Sequence, residues 1–284
     1  VSKFFCKKFP ISNNCLKKKM KNKINFSIIV VSLNTKKDFL YTLKSILKQK
    51  LVKYQIIVVD GKSSDGTLQI INKYKKKIED IIIEKDDGIY EAMNKGLKKT
   101  KFPWVIFLNS GDSFFYNRTL LKINSILNLN KEIDICIGNN VVNDEIKYIS
   151  KLKKLDQNST SSSFSHQSTV CKSSLFKRKK FDTKFKIAAD YEFFKYNFYK
   201  KKKFYYSDLI ISKSKPGGLS DKNRLAAEKE FYMINKMYKN RDSLYLFNYL
   251  KNIILVILKK FIKIILPKNK KLLILKMLNS QRLL

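Results

Sequence analysis

Residues 54–67 read YQIIVVDGKSSDGT. An apolar run stops at Asp60, and a loop rich in turn and cap residues leads to Thr67. The run does not alternate with polar residues, so it suits a strand buried on both faces, as in a parallel sheet. Gly61 and Gly66 punctuate the loop. Leu68, Ile71, Tyr74 and Ile78 then recur at helical spacing. A strand, a polar loop and a helix in that order form the repeating unit of an α/β fold.

The same unit recurs on either side. Upstream lies FSIIVVSLN, residues 26–34, followed by a helix opened by Asp38 with Phe39, Leu43 and Ile46 on one face. Downstream come the strand DIIIE, the turn KDDG, the short helix IYEAMNKGLKK and the strand PWVIFL, which ends at Leu108. Further strands are expected in IDICIGNNVV, IKYISKL and FYYSDLIIS, and a helix around FKIAADYEFFKYNFY. DQNSTSSSFSHQ, residues 156–167, reads as a loop that is mobile by composition. From Arg224 onward the pattern is helical. The expected architecture is α/β: a Rossmann-like, mostly parallel sheet flanked by helices, with an amphipathic helical tail.

Composition narrows the partners. The 284 residues carry 60 Lys and Arg against 23 Asp and Glu, a formal charge of +37. Only five are arginine, so the basicity is that of lysine, a hydrated point charge rather than a fork suited to base edges. No nucleic-acid recognition motif accompanies it, and no specific nucleic acid is expected. A basic nucleic-acid-binding protein and a catalytically degenerate scaffold remain the alternative classes. Cys6, Cys15, Cys136 and Cys171 match no zinc or redox spacing and read as free thiols in a reducing compartment. Residues 1–23 form a basic leader without the apolar core of a signal peptide, which points to cytoplasmic chemistry.

In parallel sheets ligands bind at the carboxyl ends of the strands. Those ends carry Asn34, then Asp60 and Asp65, then Glu84, Asp86 and Asp87, then Asn109 and Asp112. In so basic a chain, acids gathered at that edge suit a divalent cation, Mg2+ or Mn2+, and the polar edge of a nucleotide. They also suit helix capping: Asp65 for the helix near Thr67, Asp87 for the one near Tyr90.

The series FSIIVVSLN, VVDGKSSDGT, EKDDGIYEAMNKG, FLNSGD, SHQS, FDTKFKIAADYEF and KPGGLS resembles the family-two glycosyltransferases of GT-A fold, in particular the bacterial enzymes of surface-polysaccharide synthesis. The resemblance covers about residues 26–221 and implies a catalytic domain at 24–222, followed by a tail at 223–284. It implies an inverting, metal-dependent transfer from a nucleotide-sugar donor to a glycan or lipid-linked acceptor. Asn34, Asp60, Asp86 and Asn109 correspond to donor-binding positions, and Asp112, with His166, to metal binding. Asn109 stands where the family carries the first Asp of its Asp-x-Asp pair. Asp190 corresponds to the general base that accepts the proton of the attacking hydroxyl. Gln167, Tyr191, Gly217 and Gly218 correspond to acceptor or loop positions.

In the tail, Phe247, Leu250, Ile254, Ile257 and Phe261 fall on one half of a helical wheel, and Lys251, Lys259, Lys260 and Lys263 on the other. The longest apolar run is Ile253–Leu258, far short of the roughly 20 residues that span a bilayer. Such a helix lies on an anionic membrane, here the inner face of the cell membrane, or packs its apolar face on the catalytic domain or on a second subunit.

Overall fold

The computed structural model describes residues 24–142, 148–149, 152–238 and 242–265. The leader, Cys6, Cys15 and the basic apolar segment after Pro267 lie outside them. The strands are β1 (Phe26–Ser32), β2 (Tyr54–Asp60), β3 (Asp80–Ile83), β4 (Trp104–Phe107), β5 (Ser113–Phe114), β6 (Ile135–Val142), β7 (Tyr148–Ile149), β8 (Thr169–Lys172) and β9 (Phe204–Ser214). The helices are α1 (Lys36–Leu47), α2 (Thr67–Lys73), α3 (Ile89–Leu97), α4 (Thr119–Leu129), α5 (Ser173–Arg178), α6 (Ala189–Tyr199), α7 (Leu219–Lys222), α8 (Arg224–Tyr238) and α9 (Asp242–Ile265).

The sheet runs β3-β2-β1-β4-β8-β6-β9-β5, with β7 beside β6. Its first four strands are parallel, so their carboxyl ends share one edge. Beyond them β8 enters antiparallel to both β4 and β6, and β9 runs parallel to β6. Successive side chains of a strand point to opposite faces. Ile29, Val31, Ile57, Val59, Val105 and Phe107 therefore face α3, α5 and α6, whereas Ile28, Val30, Ile56, Val58 and Ile106 face α1, α2 and α4. This two-sided burial is why the strands read as unbroken apolar runs.

Two helix starts differ from the sequence expectation. Helix α1 begins at Lys36, ahead of Asp38, because Asp65 reaches across from the next loop and accepts the Lys36 N–H at 2.8 Å. Asp65 also accepts the Thr67 N–H at 3.0 Å, so one carboxylate serves two helix starts. At α3 the Asp87 side chain is not the cap. Glu91 instead reaches back to the Asp87 N–H at 2.7 Å, one residue ahead of the N-cap Gly88.

Gly138 sits where the β6–β9 register slips. A Cβ there would lie 2.5 Å from the Leu209 carbonyl oxygen and 2.6 Å from Ile211 Cγ1. The main chain cannot give way without opening the ladder. Gly138→Ala is expected to lower stability by about 3 kcal/mol, read as a lower denaturant midpoint. An unchanged midpoint would refute the close approach.

The serine-rich loop is pinned through its main chain. Tyr191 Oη and Lys195 Nζ lie 2.7 and 3.0 Å from the Ser159 carbonyl oxygen. Asn235 Nδ2 donates to Thr160 O at 2.8 Å, and Tyr245 Oη to Gln157 O at 3.0 Å. Composition suggested mobility, but these donors come from α6, α8 and α9, remote in sequence. A further tie joins α8 to α6, the Tyr238 hydroxyl donating to the buried Glu192 at 2.6 Å. The tail therefore braces the body.

Candidate active site

The loops after β1 and β2 are sewn together by their own polar groups. Asp60 is fully buried. It accepts the Ser63 N–H at 2.7 Å, the Ser32 hydroxyl at 2.7 Å and the Ser63 hydroxyl at 2.8 Å. Asn34, at φ 50°, donates its N–H to Ser63 Oγ and accepts the Ser64 N–H, both at 2.8 Å. Thr67 and the Lys36 N–H hold the Asp65 carboxyl below its usual range. Asp86 completes this edge from the loop after β3. One of its oxygens accepts the Gly88 N–H at 3.1 Å, and the other lies against Gly61, where an added Cβ would stand 3.0 Å away. Glycine at 61 thus lets the Asp86 carboxylate approach the end of β2.

The turn after β4 closes on itself and on α1. Asp112 donates its N–H to Asn109 O at 2.9 Å, and its carboxylate faces the Asn109 N–H at 3.3 Å. Thr42 accepts the Gly111 N–H at 2.9 Å and donates to Asp112 O at 2.6 Å. Burial pushes the Asp112 carboxyl up to about 7, against the pull of His166 and the Asn109 N–H. A buried carboxyl so easily protonated gains from a cation nearby.

The structure brings Asn109, His166 and Asp190 into one chain of contacts. His166 Nε2 lies 2.7 Å from Asn109 Nδ2, and Nδ1 lies 2.9 Å from Asp190 Oδ2. The neutral tautomer protonated at Nδ1 satisfies both, accepting from the amide and donating to the carboxylate. Both ring nitrogens of His166 are thereby engaged inside the protein. Asp190 Oδ1 accepts the Tyr191 N–H at 2.8 Å and lies 3.0 Å from the Tyr90 hydroxyl, which also donates to Ile187 O at 2.8 Å. Burial, then the Asp190 charge, pushes the Tyr90 phenol well above its ordinary range, so it stays a donor. The Asp190 side chain keeps 17% of its surface open, and among the described residues Oδ2 accepts only the histidine proton, which leaves a lone pair there.

Gln167 is half-buried, and its buried Oε1 has no partner among the described residues. Tyr191 is fully buried, with its hydroxyl toward Ser159 and Asn235. Gly217, at φ +80°, and Gly218 form an exposed loop with open space around each. Lys215, two residues before Gly217, pairs with Asp38 at the start of α1. Tyr90 stands inside the stretch EKDDGIYEAMNKG, which by itself gives it no role. A tyrosine at a buried helical position reads as core, and only its hydroxyl contacts show otherwise.

Among the described residues no three His, Cys, Asp or Glu side chains converge as a metal site. The donors that do fit a hard cation are few. Asn109 Oδ1 is buried and has no partner among the described residues, and Asp112 stands in the same turn. Two oxygen donors suit an ion such as Mg2+ or Mn2+ that takes the rest of its shell from phosphate and water.

Solved structures of like fold include S. aureus TarS 1–349 in complex with UDP-GlcNAc, at a TM-score of 0.57 and 20% identity, covering 74% of this chain and 64% of that one. The mannosyltransferase PcManGT from Pyrobaculum calidifontis, in complex with GDP-Man and Mn2+, matches at a TM-score of 0.59 and 15% identity over 77% of this chain and 68% of that one. In sequence, a PGL/p-HBAD biosynthesis glycosyltransferase of Mycobacterium tuberculosis is 27% identical over 172 residues, 59% of this chain and 67% of the relative. The matches thus cover about two thirds of the mycobacterial relative, of PcManGT and of TarS 1–349, and 39% of a longer TarS structure. Residues 27–189, more than half of the chain, match Glycosyl transferase family 2, and the chain belongs to that family.

Proposed function

We propose that this protein transfers a sugar from a nucleotide-sugar donor to an acceptor hydroxyl with inversion at the anomeric carbon. The observation that carries the proposal is the placement of Asp190. Its carboxylate is held by Tyr90, Tyr191 and His166, partly open, and linked through His166 to the Asn109 turn at the sheet edge. In the reaction the acceptor oxygen attacks the anomeric carbon as its proton passes to Asp190 Oδ2. The bond from that carbon to the diphosphate oxygen breaks on the opposite side, and the electron pair leaves with the nucleoside diphosphate. The loops built by Asn34, Asp60 and Asp86 shape the nucleotide side. Asp60 acts there through the loop it holds, since its oxygens already accept three protons from Ser32 and Ser63. Asn109 Oδ1 and Asp112 would hold a divalent cation, whose chemistry is to neutralise charge on the departing diphosphate.

The relatives support a role in cell-surface glycan synthesis. The mycobacterial relative is named for PGL/p-HBAD biosynthesis, and TarS as a poly(ribitol-phosphate) β-N-acetylglucosaminyltransferase. We assign the acceptor to a glycan or lipid-linked glycan at the cytoplasmic face of the membrane. No helix among the described residues is long and apolar enough to cross a membrane. Helix α9 supports a peripheral contact instead. Tyr249 stacks on Tyr232 and Asn252 bonds to Glu228 on its inner side. Phe247 (65%), Leu250 (50%), Ile254 (64%) and Phe261 (56%) are exposed on the far side. These four side chains of the apolar stripe stay largely open to solvent.

A panel of nucleotide sugars, with and without Mn2+, tests the donor assignment. The matching donor at a hundred times its Kd should stabilise the fold by about 2.7 kcal/mol, seen as a raised thermal midpoint, with Mn2+ enlarging the shift. No shift and no transfer with any member would overturn it.

A further inference from the structure

Helix α6 starts at Ala189, and its N-cap residue Ala188 supplies no side-chain cap. The first N–H groups of a helix need partners from elsewhere. Here one carboxylate from another helix gathers the main chain just before α6. Glu230 of α8 accepts the Lys186 N–H at 2.8 Å on Oε1, and on Oε2 the Ile187 N–H at 2.9 Å and the Ala188 N–H at 2.8 Å. An acid at that end also complements the helix dipole. From the opposite edge the Tyr90 hydroxyl meets both Ile187 O and Asp190 Oδ1. Residues 186–188 are therefore gripped on two sides, and Asp190 follows two residues later.

We propose that Glu230 is a positioning residue for Asp190. It lies beyond the stretch matched to the family, residues 27–189, in a helix whose sequence carries no catalytic motif. The inference rests on reading Asp190 as the proton acceptor. Glu230 touches no reacting atom. It fixes the main chain that carries the base, and with it the angle at which Oδ2 meets the acceptor hydroxyl. Without it three N–H groups turn to water, and the strap keeps the Tyr90 hydroxyl at Ile187 O and the Lys186 side chain at Asp87 O.

The test measures kcat, donor KM and thermal midpoint for Glu230→Ala, Glu230→Gln, Asp190→Asn and the double variant Asp190→Asn with Glu230→Ala. Misplacing a reacting group by about 1 Å can lower a rate on the order of 100-fold. Glu230→Ala should therefore lower kcat on the order of 10- to 100-fold with donor KM within about twofold. Glu230→Gln keeps a carbonyl oxygen for Ile187 and Ala188, and should lose only roughly threefold. In the double variant the Glu230 change should add nothing to the loss from Asp190→Asn. If Glu230→Ala fails to fold, Glu230→Gln carries the test, and a wild-type kcat in it overturns the proposal. Wild-type kcat in Glu230→Ala, or an additive loss in the double variant, overturns it while leaving Asp190 in place. Wild-type kcat in Asp190→Asn overturns the base assignment itself.

Discussion

Asp190→Asn is expected to lower kcat by about 10^2- to 10^4-fold, the range that general-base catalysis supplies, while donor affinity stays near wild type. The substitution keeps the shape of the side chain and removes its capacity to take a proton. Its remaining oxygen can still receive the Tyr90 hydroxyl and the Tyr191 N–H. The new amide then faces the proton on His166 Nδ1, and the ring must change tautomer or turn. That change reaches Asn109, since His166 joins the two. Single-turnover transfer, with donor binding followed separately, isolates the chemical step. Wild-type turnover in the variant would end the assignment of Asp190 as base.

The second large effect concerns α9. Replacing Phe247, Leu250, Ile254 and Phe261 together by Gln should weaken binding to anionic vesicles on the order of a thousandfold, at about 1 kcal/mol for each side chain that leaves water. Turnover on a soluble acceptor should stay unchanged, because the braces to the body come from Tyr245, Tyr249 and Asn252 on the other side of the helix. Co-sedimentation at low and high salt measures it, and salt should weaken the wild-type interaction by screening its lysines. Equal sedimentation of both proteins would overturn the membrane assignment. A wild-type mass that rises with concentration, and is lost in the variant, would assign the stripe to a second copy of the chain.

Strands β1, β2 and β4 were legible because burial on both faces keeps the run at the centre of each apolar, and β3 because its short run is all isoleucine. Their order also put Asn34, Asp60, Asp86 and Asn109 at one edge. The other half of the sheet was less legible. The antiparallel entry of β8 depends on partners far away in the chain, and Thr169–Lys172 is too short to announce its direction. The start of α2, where Asp65 accepts the Thr67 N–H two residues on, could be read from sequence, whereas starts set across space could not. Lys36 is capped by Asp65 and the approach to Ala189 by Glu230, each from a distant segment. Tyr191 shows the same limit, since its neighbour Asp190 gave it a motif while its hydroxyl serves the serine-rich loop.

That loop is anchored in an unusual currency. Tyr191, Lys195, Asn235 and Tyr245 all meet carbonyl oxygens of residues 157–160, a group every amino acid possesses. Side chains there can drift over generations without loosening the anchorage. A lineage can therefore rewrite the surface beside His166 one residue at a time while the path of the main chain stays fixed. Homologues should vary most in this segment's side chains and least in the four that grip it.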